Sequence, residues 1–368
     1  MHILYDGQIY TLQSAGGISR YFASLIRKLP NNFFPALTVS PALNTTNINY
    51  PSHPNLTIVF NRKFKFRPSR VSSWIEQQYY RMIPFLNPFD VIHPTYYSLL
   101  KPQEISKYRS PIVLTVWDMI NELFPEQTDP YGQLAEEKRR ALFGAQAIIC
   151  ISENTKKDLL NRYPWLENKV TVTYLASEIN ASLSHGSESV PSRPYFLYVG
   201  SRASYKNFDG LLVAFAKAAS VQPDVALCVV GPAFDETEEK WIADFKLSDR
   251  IEHYGYASDR HLAKLYRCSV AFVYPSLYEG FGIPPLEAMS CGTVVVASHC
   301  SSIPEVVGDA GLLFDPKSTG DLADILLSLL ENSTERDRLI SQGYQRAQEF
   351  SWDKTVTQTL EVYRSVIG

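Results

Sequence analysis

Short β-rich runs alternate with helical stretches twice along this chain, and that repetition constrains its fold more than any other feature. In the first half HILYD, ALTVS, LTIVF, DVIHP, PIVLTVWD, AIICIS and KVTVTYLA read as strands. Helix-like segments such as GISRYFASLIRKL and SENTKKDLLNRY lie between several of them. The pattern stops at NASLSHGSESVPSRP, rich in Ser and Pro and poor in large apolar residues, which reads as a linker. It restarts with YFLYVG, ALCVVG, IEHYGY, VAFVYPS and TVVVAS, and the chain ends in helical stretches near 335–350 and 352–367. Alternation of this kind predicts parallel sheets covered by helices. We expect a first α/β domain over 1–180, a linker over 181–194, a second α/β domain over 195–350 and a terminal helix over 351–368. Ligand-binding loops belong at the carboxyl ends of the strands, with an interdomain cleft as the default site.

At 368 residues the chain exceeds one ordinary core and suits two. A net charge of −3 argues against a nucleic-acid partner, which wants a basic face. No apolar run is long enough to span a bilayer, and MHILYDG lacks the charged start and cleavage site of a signal peptide. The five cysteines, Cys150, Cys228, Cys268, Cys291 and Cys300, are scattered without a CxxC pair and read as reduced thiols. These features together predict a cytoplasmic protein.

Two stretches of the second half carry chemistry. In YVGSRASYKNFDGLL a strand ends at Gly200, a short loop holds Arg202 and Lys206, and Asn207 can open a helix. Cations beside the amides of a helix N-terminus make an anion site, and two of them suit a diphosphate. A solvated loop with ordinary surface cations is the other reading. In YPSLYEGFGIPPLEAMSCG, from Tyr274 to Gly292, Glu279 and Glu287 flank a turn stiffened by Pro284 and Pro285. Prolines suit first helical positions, which predicts Glu287 in the first turn. A carboxylate there can accept two hydrogen bonds from a ribose diol. Gly280 and Gly282 let loop amides approach phosphate or sugar oxygens. A plain dipole-complementing Glu287 and a solvated Glu279 remain the bland alternative.

This second stretch resembles the E-x7-E signature of the retaining family 4 glycosyltransferases, which have the GT-B fold. YVGSRASYKNFDGLLVAF, VVGP, YGYASDRHLAKLYR and TVVVASHCSSIPEVVGDAGLLFDP follow the family's order and spacing over nearly the whole second half. The resemblance implies two facing Rossmann-like domains with a C-terminal helix, SWDKTVTQTLEVYRSVIG, crossing back to the first. It implies that Glu287 holds the donor ribose and Glu279 contacts the transferred sugar. Backbone around Phe281, Gly282 and Ile283 meets sugar and phosphate, and Arg202 and Lys206 neutralise the diphosphate. Many members place an Arg directly before the Lys, where this chain has Tyr205 and carries its Arg four residues before Lys206.

The first half resembles the family more loosely. Gly16 and Gly17 in SAGGISRY match its glycine-rich loop, placed to approach the donor phosphates or the acceptor; the pattern is not GxGxxG. In PIVLTVWDMINELFPE the family's His-Asp pair becomes Trp117 and Asp118. Trp cannot accept a proton or a hydrogen bond, so Asp118 is the polar residue left to act. His93, ending DVIHP, reads as structural or as a second candidate.

Phe60 to Phe85 interleaves Arg62, Lys63, Lys65, Arg67 and Arg70 with Phe64, Phe66 and Trp74. Such a mixture can sit at an anionic membrane surface, here the inner face of the cytoplasmic membrane, or pack as a loop and helix with exposed cations. No DxD pair and no zinc-spaced His/Cys cluster occurs, so the expectation is a reaction needing no cofactor and no metal. The implied function is retaining transfer of a hexosyl group from a nucleotide sugar, UDP-glucose ahead of GDP-mannose, to a saccharide or lipid-linked saccharide in cell-surface polysaccharide synthesis. The alternatives are a GT-B sugar-nucleotide epimerase and a non-catalytic sugar-nucleotide-binding scaffold.

Overall fold

A computed structural model describes residues 1–13, 16–40, 50–60, 89–100, 105 and 108–367. The chain divides into two units, Met1–Leu175 with Trp352–Gly368, and Ala176–Ser351.

The first unit carries seven described strands, all paired in parallel. They are β1 (His2–Asp6), β2 (Phe34–Val39), β3 (Thr57–Phe60), β4 (Val91–Pro94), β5 (Val113–Val116), β6 (Ala147–Cys150) and β7 (Val170–Val172). Hydrogen bonding orders them β3-β2-β1-β4 and β5-β6-β7. A single parallel bridge from Ile92 to Ile112 joins the two sets. Central strands such as β4, β5 and β6 are buried along their whole length, which is why they read as unbroken apolar runs rather than alternations.

The helix Gly17–Arg27 buries Tyr21, Phe22, Leu25 and Ile26. Tyr21 meets Trp117 edge-on at 5.0 Å and lies 5.9 Å from Trp352. Trp352 opens the C-terminal helix Trp352–Ile367, which belongs to the first unit. Thr355 Oγ1 donates to Tyr174 O at 2.8 Å, and Tyr363 Oη lies 2.6 Å from His93 Nδ1 and 3.2 Å from Tyr5 Oη.

The second unit is one parallel sheet ordered β10-β9-β8-β11-β12-β13. Its strands are β8 (Tyr195–Val199), β9 (Ala226–Val230), β10 (Ile251–His253), β11 (Ala271–Tyr274), β12 (Val295–Ser298) and β13 (Leu312–Phe314). Phe196, Leu211, Phe215, Val229, Val273, Val296 and Leu326 form its core. The strand β13 and the helix Thr319–Glu331 were not expected from the sequence; β13 is only three residues, too short to show a period.

Residues 181–194, expected as a linker, are instead fastened to the second unit. Lys264 Nζ donates to Gly186 O at 2.9 Å and to Glu188 O at 2.6 Å. Arg267 Nη1 donates to Ser184 Oγ at 3.0 Å. A stretch poor in apolar side chains still offers carbonyls and hydroxyls, and cations of the helix Asp259–Cys268 take them up. Beyond Phe60, the basic and aromatic stretch to Phe85 lies outside the described residues.

Candidate active site

In the second sheet the chain runs outward from β8 to β10, returns to the far side of β8, and runs outward again from β11 to β13. The reversal falls between β8 and β11, and open α/β sheets bind ligands outside the carboxyl ends of the strands at such a point. The loops after β8 and β11 bring Lys206 and Glu279 together there. Lys206 Nζ donates to Glu279 Oε1 at 2.7 Å and to Oε2 at 2.9 Å. Both side chains keep some exposure, 17% and 12%. Tyr274, the last residue of β11, hydrogen-bonds the Glu279 carboxylate, and burial raises its hydroxyl's pKa well above the ordinary value.

Contacts that the sequence did not predict hold these two loops. Leu277 N donates to Tyr205 O at 2.7 Å, tying one loop to the other. Asn207, in the left-handed region at φ 53°, donates to Pro275 O at 3.1 Å and Pro316 O at 3.0 Å. From the loop after β12, Ser301 Oγ accepts the Glu279 N–H at 2.9 Å. Ser302 Oγ lies within donating distance of the carbonyls of Glu279, 2.8 Å, and Phe281, 2.7 Å. The one signal was HCSSIPE, a run of small polar residues directly after an apolar strand.

Glu287 does not stand in a first helical turn as expected. The helix runs Ile283–Ser290, so Pro284 and Pro285 are its second and third residues and Glu287 its fifth. Helix entry is set one residue earlier by Gly282, whose φ of 120° suits only glycine. Glu287 is 6% exposed, and its Oε2 accepts from Tyr266 Oη at 3.1 Å. Phe281 is buried edge-on against Phe350, and Gly280 lies in the loop between Glu279 and Phe281.

Arg202 takes a different place from Lys206. Its Nε and Nη2 donate to Glu238 Oε1 and Oε2 at 2.7 and 3.0 Å, with side chains 4% and 10% exposed. Nη2 also donates to Ala233 O, and the guanidinium stacks 4.6 Å over Phe234. Glu238 meanwhile closes a capping box with Asp235 at the start of the helix Glu236–Asp244. Arg202 thus clamps the loop after β9, and only Lys206 of the two cations faces Glu279.

In the first unit Gly16 caps and Gly17 opens the helix Gly17–Arg27. Asp118 follows β5 and keeps a partly exposed side chain; its Oδ1 accepts from Ile120 N at 3.0 Å. His93 is wholly buried, with Nε2 2.8 Å from Thr115 Oγ1, and burial lowers its pKa to about 3. It is a core residue. Asp6, ending β1 beside β4, was not singled out from the sequence. It accepts from Leu100 N at 3.0 Å and hydrogen-bonds Gln8 N–H and the Thr38 hydroxyl, yet burial pushes its pKa up to about 7.

Among the described residues no group of three or more His, Cys, Asp or Glu is placed to hold a metal ion. None of the described helices is long and apolar enough to cross a membrane.

The profile of "Glycosyl transferases group 1" matches residues 183–346, and that of "Glycosyltransferase Family 4" residues 15–176. The chain is 30% identical over 302 residues to the MMP alpha-(1->4)-mannosyltransferase of Mycolicibacterium hassiacum, covering 76% of this chain and 71% of that protein. The chain belongs to the family 4, group 1 glycosyltransferases. It is also 32% identical over 251 residues to the O-antigen chain mannosyltransferase B of Escherichia coli, spanning 64% of this glycosyltransferase and just under two thirds, 65%, of that relative. Its GT-B fold is shared with sucrose-phosphate synthase from Thermosynechococcus elongatus, TM-score 0.76 at 20% identity over 99% of this chain and 98% of that one. Anabaena HepE in complex with UDP and glucose gives 0.75 at 20% identity over 99% and 100%.

Proposed function

We propose that this glycosyltransferase moves a hexosyl group, with retained configuration, from a nucleotide-diphosphate sugar to a saccharide or lipid-linked saccharide acceptor in cell-surface polysaccharide synthesis. The observation that carries the proposal is the Lys206–Glu279 pair at the β8/β11 switch point. In this reading Lys206 leaves Glu279 for the donor diphosphate, and Glu279 turns to the transferred sugar. Glu287 accepts hydrogen bonds from the ribose, while backbone from Gly280 to Ile283 meets sugar and phosphate. The departing diphosphate oxygen takes the acceptor's proton on the same face, so the protein's work is charge stabilisation without a metal. The first unit takes the acceptor near Gly16, Gly17 and Asp118, whose carboxylate orients the attacking hydroxyl.

Mannosyl transfer is the form placed first, because the two relatives described above are mannosyltransferases. Glucosyl transfer from UDP-glucose is second. Metal-free calorimetry with GDP and UDP tests the donor site. Glu287→Ala should lose about 1.5–3 kcal/mol of binding to the preferred nucleotide, about 10- to 150-fold. Unchanged binding in that variant sinks the ribose assignment. Turnover of GDP-mannose against UDP-glucose, with the product's anomeric configuration read by NMR, decides sugar and stereochemistry.

A further inference from the structure

The loop after β5 is built around a lysine that reaches no solvent. Lys138, from the helix Gln133–Gly144, is 0% exposed and donates to Glu122 Oε2 at 2.8 Å, a carboxylate itself 2% exposed. Its second hydrogen bond goes to the main-chain carbonyl of Asp118 at 3.0 Å, and Nζ stands 3.9 Å from Asp118 Oδ1. It also lies 5.2 Å from the centroid of the Tyr97 ring, whose hydroxyl accepts from Trp117 N at 3.1 Å. The peptide that follows Asp118 and, one residue upstream, the Val116–Trp117 peptide are therefore held. Asp118, 35% exposed, is the acid of this cluster that reaches solvent.

A buried ion pair is an expensive way to fill space, since apolar side chains of the same volume are commonly as stable or more so. This one is also incomplete, because Glu122 Oε1 is buried with no hydrogen-bond partner among the described residues. In the Arg202–Glu238 pair both carboxylate oxygens are bonded, and the unpartnered buried atom is instead Arg202 Nη1. Lys138 instead gives one hydrogen bond to the backbone of the very residue assigned to the acceptor. We propose that Lys138, backed by Glu122, is a positioning residue that fixes the Asp118 carboxylate for transfer. This rests on the reading that Asp118 acts on the acceptor hydroxyl. The ammonium sets both where the carboxylate points and the charge it feels.

The test compares kcat of Asp118→Asn, of the neutralised pair Lys138→Met/Glu122→Gln, and of the triple variant, following release of nucleoside diphosphate from GDP-mannose and UDP-glucose. GDP and UDP binding are measured alongside. The neutralised pair should keep nucleotide binding and lose about 10²-fold in kcat, as a misplaced catalytic group does. In the triple variant the losses should not add, because both changes act through one carboxylate. An impaired Asp118→Asn beside a neutralised pair within about threefold of wild type overturns the inference alone, as do additive losses. A fully active Asp118→Asn, or turnover of neither donor, removes the proposed function beneath it as well. Should the neutralised pair fail to fold, Glu122→Gln alone keeps the volume and an acceptor for Lys138. It should then lose about tenfold in kcat at unchanged nucleotide binding, and wild-type kcat overturns the proposal.

Discussion

At the switch point of the second sheet, Lys206 and Glu279 meet on two loops with some exposure to solvent, sutured by Asn207, Ser301 and Ser302. The first sheet reverses in the same way, between β1 and β4, but there the strand end carries Asp6, buried, with a carboxyl raised to about 7. One topology thus serves two ends. The second unit offers an accessible cation and carboxylate, chemistry suited to a charged donor. The first offers hydrogen-bonded loops with the partly exposed Asp118 after the next strand, the place given to the acceptor in the proposed function. The two sheets share a strand order, and the residues at their strand ends differ in charge and exposure.

The contrast between the two cations after β8 gives the largest expected effect. Arg202→Met leaves Glu238 buried without its partner and should destabilise the second unit by about 3–5 kcal/mol. Adding Glu238→Gln should recover much of that in thermal melts. A loss below about 1 kcal/mol would return Arg202 to the ligand-facing cations. Lys206→Ala should leave stability nearly intact and cost about 10²–10³ in kcat, or about 2.7–4 kcal/mol of transition-state stabilisation. Equal damage to folding would erase the distinction between the two.

The smallest effect concerns the first unit alone, where Asp6 and His93 oppose each other. Asp6 has its pKa raised from 3.8 to about 7, so the folded unit binds its proton more tightly and stability falls as pH rises through that window. His93 is lowered from 6.5 to about 3, so the unfolded chain binds that proton and stability falls as pH drops through that window. Between about pH 4 and 6.5 the two slopes cancel in the wild type. Asp6→Asn should expose the His93 slope, up to about 1.4 kcal/mol per pH unit, and His93→Gln the opposite slope. Unfolding of the first unit followed against pH reads both, and identical slopes in the two variants would refute the pairing.

Much of the architecture was legible in the sequence, because a fully buried parallel strand needs a continuous apolar run. AIIC and VVAS have no other comfortable place. The E-x7-E stretch was legible for a similar reason, since Gly282 and the paired prolines leave the turn few conformations. The register of the helix was not, because proline is tolerated at any of the first positions, whose N–H groups have no intrahelical partner. Glu287 accordingly sits one residue deeper than expected, just past the first turn.

What the sequence determined by itself was periodic or local: two α/β units, the order of their strands along the chain, the stiff turn, and Lys206, Glu279 and Glu287 as residues out of place in a plain core. The tertiary structure decided which of these meet. Arg202 and Lys206 are four residues apart and look alike in sequence, yet one is committed to Glu238 and the other to Glu279. Lys138 and Glu122, unremarkable on their own, become a buried pair beneath Asp118. Side-chain periodicity is written into neighbouring residues, whereas pairing between distant charges is fixed only when packing brings them within a few ångströms and excludes water.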